Sequence, residues 1–449
     1  MTLFPDRELT GKVLRISAPA VAGLSSQMLV SVTETAMAGR LENTEVVLAA
    51  LGLGLLATWA VTSFFSSFST GTHVLAARRT GSGDPEGAGA VLNNSLAVAA
   101  VVGVGCGALG FLFSYDILDF FASDPAVARA GTAYMQWRFV GLAFFLVVVS
   151  YRGFFNGIGH TGVFMISAII INFSNVLLNY LLIFGSLGFP RMGLAGAGLA
   201  SALSNAVGVL FFAGATFLPG YRRTYRYYRA LQLRTHVVAQ IVRISAPVSF
   251  QNILILVGFL VFVAVAGRLG TPEQAASQVV ISALFMSFLP CFGFGIGAQT
   301  LVGQSLGTGD HGLARRYGME AARLATMFTV VLGAVFVFFP GWVISLITND
   351  VSVSLRARPI LQLAGGTQVF YAGGIVLAHA LQAAGATVYV MVVEVLTHWV
   401  VFLPACYVMG VVLEGGLLWA WLALPVYILS YTGLIYARYR GTGWVRIRV

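Results

Sequence analysis

Apolar stretches long enough to cross a bilayer recur along almost the whole chain, at about 11–39, 46–77, 87–113, 127–152, 161–185, 193–218, 239–268, 273–304, 312–339, 353–382, 386–411 and 416–438. A transmembrane helix needs about 20 predominantly apolar residues. In lipid only helices and closed barrels satisfy every backbone group. Runs of this length exclude the short alternating strands of a barrel. The pattern predicts an all-α integral membrane protein of about twelve spans, and with 9% charged residues in 449 it is no ordinary soluble domain.

The net charge of +10 first suggests a nucleic-acid partner. The basic residues sit instead in short loops between apolar runs, as topology requires. One set of connections carries Arg78, Arg79, Arg152, Arg315 and Arg316. The central stretch carries Arg222, Arg223, Arg226, Arg229 and Arg234, and the tail Arg438, Arg440, Arg446 and Arg448. The opposite set leans acidic, with Glu42, Glu45, Asp116, Asp119, Asp124, Glu273, Asp350 and Glu414, although Arg191, Arg356 and Arg358 interrupt it. Both termini and the central stretch are therefore expected on the cytoplasmic side of the cell (inner) membrane. Nucleic acid is not an expected partner; the bilayer is, and a monomer is the default. No cleavable signal peptide is expected. Cys106, Cys291 and Cys406 share no metal-type spacing and read as small buried hydrophobes.

The chain repeats itself. Arg15-Ile-Ser-Ala-Pro19 recurs as Arg243-Ile-Ser-Ala-Pro247, and Ala38-Gly-Arg-Leu41 as Ala266-Gly-Arg-Leu269. Gly81-Ser-Gly-Asp84 then matches Gly307-Thr-Gly-Asp310, and Gly159 and Thr161 match Gly385 and Thr387. Each half holds six spans, so both enter the membrane from the same side. Two six-helix bundles related by a pseudo-two-fold along the membrane normal are predicted. The expected lobes are 1–220 and 238–449, joined by a basic linker at 221–237. Alternating access by rocking of two such lobes is the expected mechanism. Pro19 and Pro247 are candidate hinges, because each removes a backbone hydrogen bond; a static kink is the plainer reading.

Charge inside the membrane is costly and marks function. Glu34 lies near the end of the first run; it is either a coupling acid or a carboxylate reaching the headgroups. Asn175 and Asn179, spaced i, i+4, share a helix face with Asn172. They serve either as interhelical glue or as oxygen ligands and relay beside Glu34. No metal is expected beyond Na⁺ at Glu34. Glu394 has His398 four residues on, as a packing pair or as a second proton or substrate site. Gln251 is a candidate cleft residue. A Phe- and Met-rich patch at Phe285, Met286, Phe288, Phe292 and Phe294 is a candidate apolar substrate surface.

Glu34-Thr-Ala-Met-Ala-Gly-Arg-Leu41, Gly297-Ala-Gln-Thr-Leu-Val-Gly-Gln304, Arg152-Gly-Phe-Phe-Asn-Gly-Ile-Gly-His-Thr161, Asn175-Val-Leu-Leu-Asn179, Trp399 and Pro404 appear in order. Together they resemble the multidrug and toxic compound extrusion (MATE) family over nearly the whole chain. The resemblance implies secondary-active export of bulky, often cationic or amphipathic organic compounds in exchange for H⁺ or Na⁺, with no other cofactor. Glu34 falls where the family carries a first-helix Asp. Ser201 adds a hydroxyl by the same carry-over. Acids that some members carry on the seventh and tenth helices fall near Ile255 and Tyr371 here. That absence points to the DinF-like branch, with coupling in the N-terminal lobe. Rival readings are a lipid-linked precursor flippase, disfavoured because no Arg cluster is evident within the spans, and a membrane-embedded enzyme. The chain is not expected to be an enzyme, having no P-loop, metal spacing or nucleophile elbow.

Overall fold

The structure, a computed structural model, describes residues 6–41, 44–122, 124–227 and 233–447. Glu42, Arg229 and Arg448 of the charge pattern lie outside them. The described residues contain helices and no strand. The first half comprises α1 (Arg7–Ala38), α2 (Thr44–Ser66), α3 (Phe68–Gly81), α4 (Pro85–Leu112), α5 (Ser114–Phe121), α6 (Pro125–Val140), α7 (Leu142–Gly157), α8 (Thr161–Phe184), α9 (Leu194–Phe217) and α10 (Pro219–Tyr225). The second comprises α11 (Thr235–Leu269), α12 (Thr271–Gly307), α13 (His311–Phe338), α14 (Pro340–Ser345), α15 (Val351–Ala383), α16 (Thr387–Val412) and α17 (Gly416–Arg440).

Among the described residues ten helical stretches are long and apolar enough to span a membrane, with α2 and α3 counted as one. The pair α6 and α7, bent by 42°, forms an eleventh. The 32-residue α1 is about 48 Å long at 1.5 Å per residue and completes the expected twelve.

The repeat is visible in local geometry. Gly83 and Gly309 both take positive φ, at 74° and 80°, and Gly159 and Gly385 do so at 83° and 89°. Such values favour glycine because it has no Cβ. Asp84 then caps α4 by accepting from the Gly87 amide at 2.8 Å, and Asp310 caps α13 by accepting from Leu313 at 2.8 Å. These bonds satisfy amides that each helix leaves free at its start.

The chain forms two compact units that differ from the expected lobes. One holds Ala22–Ser249; the other holds the residues up to Val21 together with Phe250–Val449. Each repeat's first helix therefore begins in one unit and ends in the other, changing over two residues after Pro19 and Pro247. The repeated Ser makes a close contact within each unit. In the second unit the Ser17 hydroxyl fills the space a Cβ on Gly297 would take. In the first, Ser245 and the Ile241 carbonyl do the same at Gly71, with that carbonyl 2.6 Å from the missing Cβ. Small residues let the backbones close to this distance. Polar bonds extend the packing: Arg316 to Asp6 at 2.6 Å, and the Arg234 amide to Asn94 Oδ1 at 2.7 Å.

The basic linker is folded at its start. Tyr225 and Tyr227 pack on Phe154, and the Tyr227 hydroxyl donates to the Thr216 carbonyl at 2.8 Å. Arg226 pairs with Glu86 at 2.7 Å. Arg356, an exception to the charge bias, pairs with Glu273 at 3.1 Å.

Candidate functional site

A cavity of about 240 Å³ lies inside the Ala22–Ser249 unit. Glu34, Asn172, Asn175 and Ser201 line it, as do Arg138 and Thr58. Four of the expected site residues thus share one chamber, and Asn179 stands directly behind it.

The chamber is built on α6. Tyr134 and Arg138 are one turn apart and so face the same way. The Tyr134 hydroxyl donates to Glu34 Oε1 at 3.2 Å. The Arg138 guanidinium lies 5.9 Å from the Tyr134 ring centre, a cation–π distance. Its Nη1 donates to Ser201 Oγ at 3.1 Å and its Nη2 reaches Thr58 Oγ1 at 3.5 Å. Glycines make this possible. Gly54 on α2 leaves room for the Tyr134 ring, whose Cδ1 sits 2.8 Å from the missing Cβ. At the bend Gly141 lets α9 approach, with Ala202 Cα 2.9 Å from the missing Cβ. That approach brings Ser201 to Arg138.

The asparagine stripe on α8 completes the wall. Asn172 donates to Ser26 Oγ at 2.7 Å. Asn175 donates to Ser201 and Ser204, both at 3.3 Å, and accepts from Asn179 at 2.8 Å. The Asn179 carbonyl oxygen is buried without a hydrogen-bond partner. The amides thus serve as interhelical bonds and as cavity lining at once. Glu34 and Arg138 form no ion pair with each other among the described residues.

The second unit holds a different cluster. Glu394 is buried, and the Tyr427 hydroxyl donates to its Oε1 at 2.6 Å and the Tyr371 hydroxyl at 3.4 Å. The rings of Tyr371, Tyr427 and Tyr431 pack around it. The expected Glu394–His398 pair does not form. A π-helical segment begins at Thr397 and widens the turn, so the four-residue spacing no longer stacks the two side chains. His398 packs on Phe402 and Tyr427 instead, with neither ring nitrogen hydrogen-bonded. Gln251, on α11, shares no described bond with Glu394, and its Oε1 is buried and unpartnered. The Phe/Met patch is split: Phe285, Met286 and Phe292 are exposed, Phe294 is buried, and Phe288 packs on Tyr371.

The MatE family model matches this chain twice, over residues 19–181 and 247–408. The chain belongs to the MatE family. Both matches open on the repeated prolines, Pro19 and Pro247, so the internal repeat is the family unit in duplicate. The family is one of transporters, not of enzymes. Similar MatE relatives include a probable multidrug resistance protein NorM of Thermotoga maritima, 27% identical over 93% of this chain and 89% of that protein. Another NorM, of Bradyrhizobium diazoefficiens, is 26% identical over 96% and 92%. Among solved structures, a MOP superfamily transporter from Pyrococcus furiosus superposes with a TM-score of 0.88 at 20% identity, covering 96% of this chain and 95% of that one. That likeness carries the twelve-helix fold to this MatE chain.

Arg138 and Tyr134 are the residues that sequence reasoning missed. The signal was an isolated arginine twelve residues into an apolar run, one turn after a tyrosine.

Proposed function

We propose that this MatE chain is a secondary-active exporter of organic compounds that couples efflux to proton entry at Glu34. The observation that carries the reading is the cavity of the first unit, where Glu34 shares a chamber with Arg138. The MatE relatives named above are multidrug resistance proteins, which supports organic efflux. A carboxylate enclosed at this depth must be discharged or neutralised to persist there.

The engaged amide oxygen of Asn175 favours the proton over Na⁺ as the coupling ion. The Asn175 carbonyl oxygen, an obvious Na⁺ ligand, already accepts from Asn179. A proton needs no free coordination shell.

Glu394 we assign to packing of the second unit. Its described partners are hydroxyl donors, which serve either protonation state. Coupling then resides in the N-terminal half, as in the DinF-like branch that the sequence resembles. Pro19 and Pro247 serve as hinges, since the chain changes unit just beyond each. The charge bias supports an inner-membrane protein with both termini cytoplasmic.

Proteoliposomes test the coupling. A pH gradient alone drives uptake of an organic dye toward the acidic side, and a Na⁺ gradient alone does not. Glu34→Gln abolishes the pH-driven flux while the protein still elutes as a folded species. Flux that follows Na⁺ in the absence of a pH gradient, or survives Glu34→Gln, refutes the assignment.

A further inference from the structure

The repeat pairs Gly159 with Gly385, 226 positions on, and the same step pairs the start of α5, Ser114, with the start of α14, Pro340. Both are short helices outside the spanning stretches. Each turns one side into its own unit: Leu118 of α5 is buried, as are Val343 and Ile344 of α14. Their outer sides differ. The repeat sets Asp116 of α5 against Trp342 of α14, and Thr132 of α6 against Arg358 of α15. Trp342 is 61% exposed, and Phe338, Phe339 and Leu346 near it in the chain are exposed as well. The Arg358 guanidinium lies against Gly341, with Nη2 3.0 Å from the position of the missing Cβ. Arg358 is exposed, and among the described residues no carboxylate pairs with it; Glu273 takes its neighbour Arg356 instead. An exposed indole and a free guanidinium thus meet on one short helix, at the end of the second unit opposite the Gly309 turn.

We propose that Trp342 and Arg358 form a binding site for a phospholipid headgroup, with the phosphate on Arg358 and the upper acyl chains over Trp342 and its apolar neighbours. The inference needs only that the chain spans a bilayer and does not rest on transport. The depth fits. The 33 residues of α15 measure about 50 Å at 1.5 Å per residue. That is about 20 Å more than a hydrocarbon core, so about 10 Å projects at each end when the helix is centred. Arg358 lies seven residues past Val351, about 10 Å along the axis, at the level where hydrocarbon gives way to phosphate. An indole prefers the same level, because its body is apolar and its N–H is polar. A guanidinium offers a phosphate two parallel donors. The apolar surface continues onto the spanning helices, where Val331 of α13 and Leu355 of α15 are exposed, so the site adjoins surface that lipid already covers. The first unit has the same platform without the site. Asp116 there repels a phosphate, and Thr132 is uncharged and donates to the Ala128 carbonyl of its own helix at 2.7 Å.

The test uses the full chain in nanodiscs of neutral digalactosyl diacylglycerol, doped with one brominated lipid of matched acyl chains. The dopant is either phosphatidylglycerol, which carries the phosphate, or the galactolipid, which does not. Bromine quenches indole fluorescence on contact, and subtracting the signal of Trp342→Phe from that of the unaltered chain isolates Trp342. At equal mole fraction, brominated phosphatidylglycerol occupies the site about threefold more than the brominated galactolipid, the size of one exposed ion pair. Arg358→Gln abolishes that preference and Arg358→Lys keeps most of it. Asp116→Trp, read in the Trp342→Phe chain, shows none. Equal quenching by the two lipids in the unaltered chain overturns the proposal, and so does a preference that survives Arg358→Gln. A preference of the same size at Asp116→Trp assigns it to the membrane surface at large and removes the site. Quenching of Trp342 by neither lipid puts something else on this face, such as a second copy of the chain, and also overturns the proposal.

Discussion

The two Ser–Gly contacts of the repeat look equivalent in sequence but make opposite predictions for adding a methyl group. At Gly71 a new Cβ meets the Ile241 carbonyl at 2.6 Å as well as the Ser245 hydroxyl. The carbonyl is backbone within a helix and cannot rotate away. Overpacking of this kind costs about 1–3 kcal/mol, against about 1 kcal/mol gained from alanine's better helix propensity. Gly71→Ala is therefore destabilising by up to about 2 kcal/mol. At Gly297 the clashing atom is only the Ser17 hydroxyl; the next contact, Ser17 Cβ, is at 3.2 Å. That hydroxyl has no hydrogen-bond partner to lose, so it turns aside and Gly297→Ala is close to neutral. Adding Ser17→Ala removes what clash remains. Adding Ser245→Ala does not rescue Gly71→Ala, because the carbonyl stays. Thermal unfolding in detergent, followed by far-UV circular dichroism, reports the change. Each kcal/mol moves the midpoint by about 2–4 °C for a unit of this size. A Gly71→Ala variant as stable as its parent, or one restored by Ser245→Ala, refutes the argument that backbone contact sets this approach.

Two further outcomes follow from the second unit. Tyr427→Phe removes the 2.6 Å donor to Glu394 and costs about 1–3 kcal/mol in the same assay, whereas Glu394→Gln leaves pH-driven efflux intact; loss of that efflux places a second coupling acid here. At the start of α15 the Ser352 side chain, followed by the Val353 and Ser352 amides, holds the exposed Asp350 carboxyl below its usual range. Its contribution is full above the ordinary carboxylate pKa and fades as pH falls through the lowered value. Hydrogen exchange at Ser352 and Val353 should accelerate in that acid window, and Asp350→Asn should remove the pH dependence; an unchanged profile in the variant contradicts the capping role.

The twelve spans and the duplication were legible because lipid leaves a chain few options. Length, apolarity and the recurrence of Arg-Ile-Ser-Ala-Pro sufficed. The exchange of the first helical segments between units was not legible. It is visible in Ser17 meeting Gly297 and Ser245 meeting Gly71, contacts between residues 280 and 174 positions apart. The repeat shows that each Ser and each Gly has a counterpart; it cannot show that a Ser packs in the other half's helix. The short helices α5 and α14 were missed for a plainer reason: they lie in connections between apolar runs, where neither span length nor repeat gives a signal.

The site was half legible, and the missing half changes its chemistry. Glu34 and the stripe of Asn172, Asn175 and Asn179 stand out because a carboxylate and amides are costly in hydrocarbon and because i, i+4 spacing fixes a face. Arg138 escapes the same reasoning because arginines in a membrane protein are read first as topology markers, and its partners Ser201 and Thr58 come from other helices. The Glu394–His398 spacing misleads for the converse reason: it presumes an α-helix where the backbone turns to π. The first-unit cavity is lined by Arg138 as well as Glu34. The second unit has a carboxylate with hydroxyl partners and no such counter-charge among its described bonds. Two copies of one fold thus carry unlike polar cores.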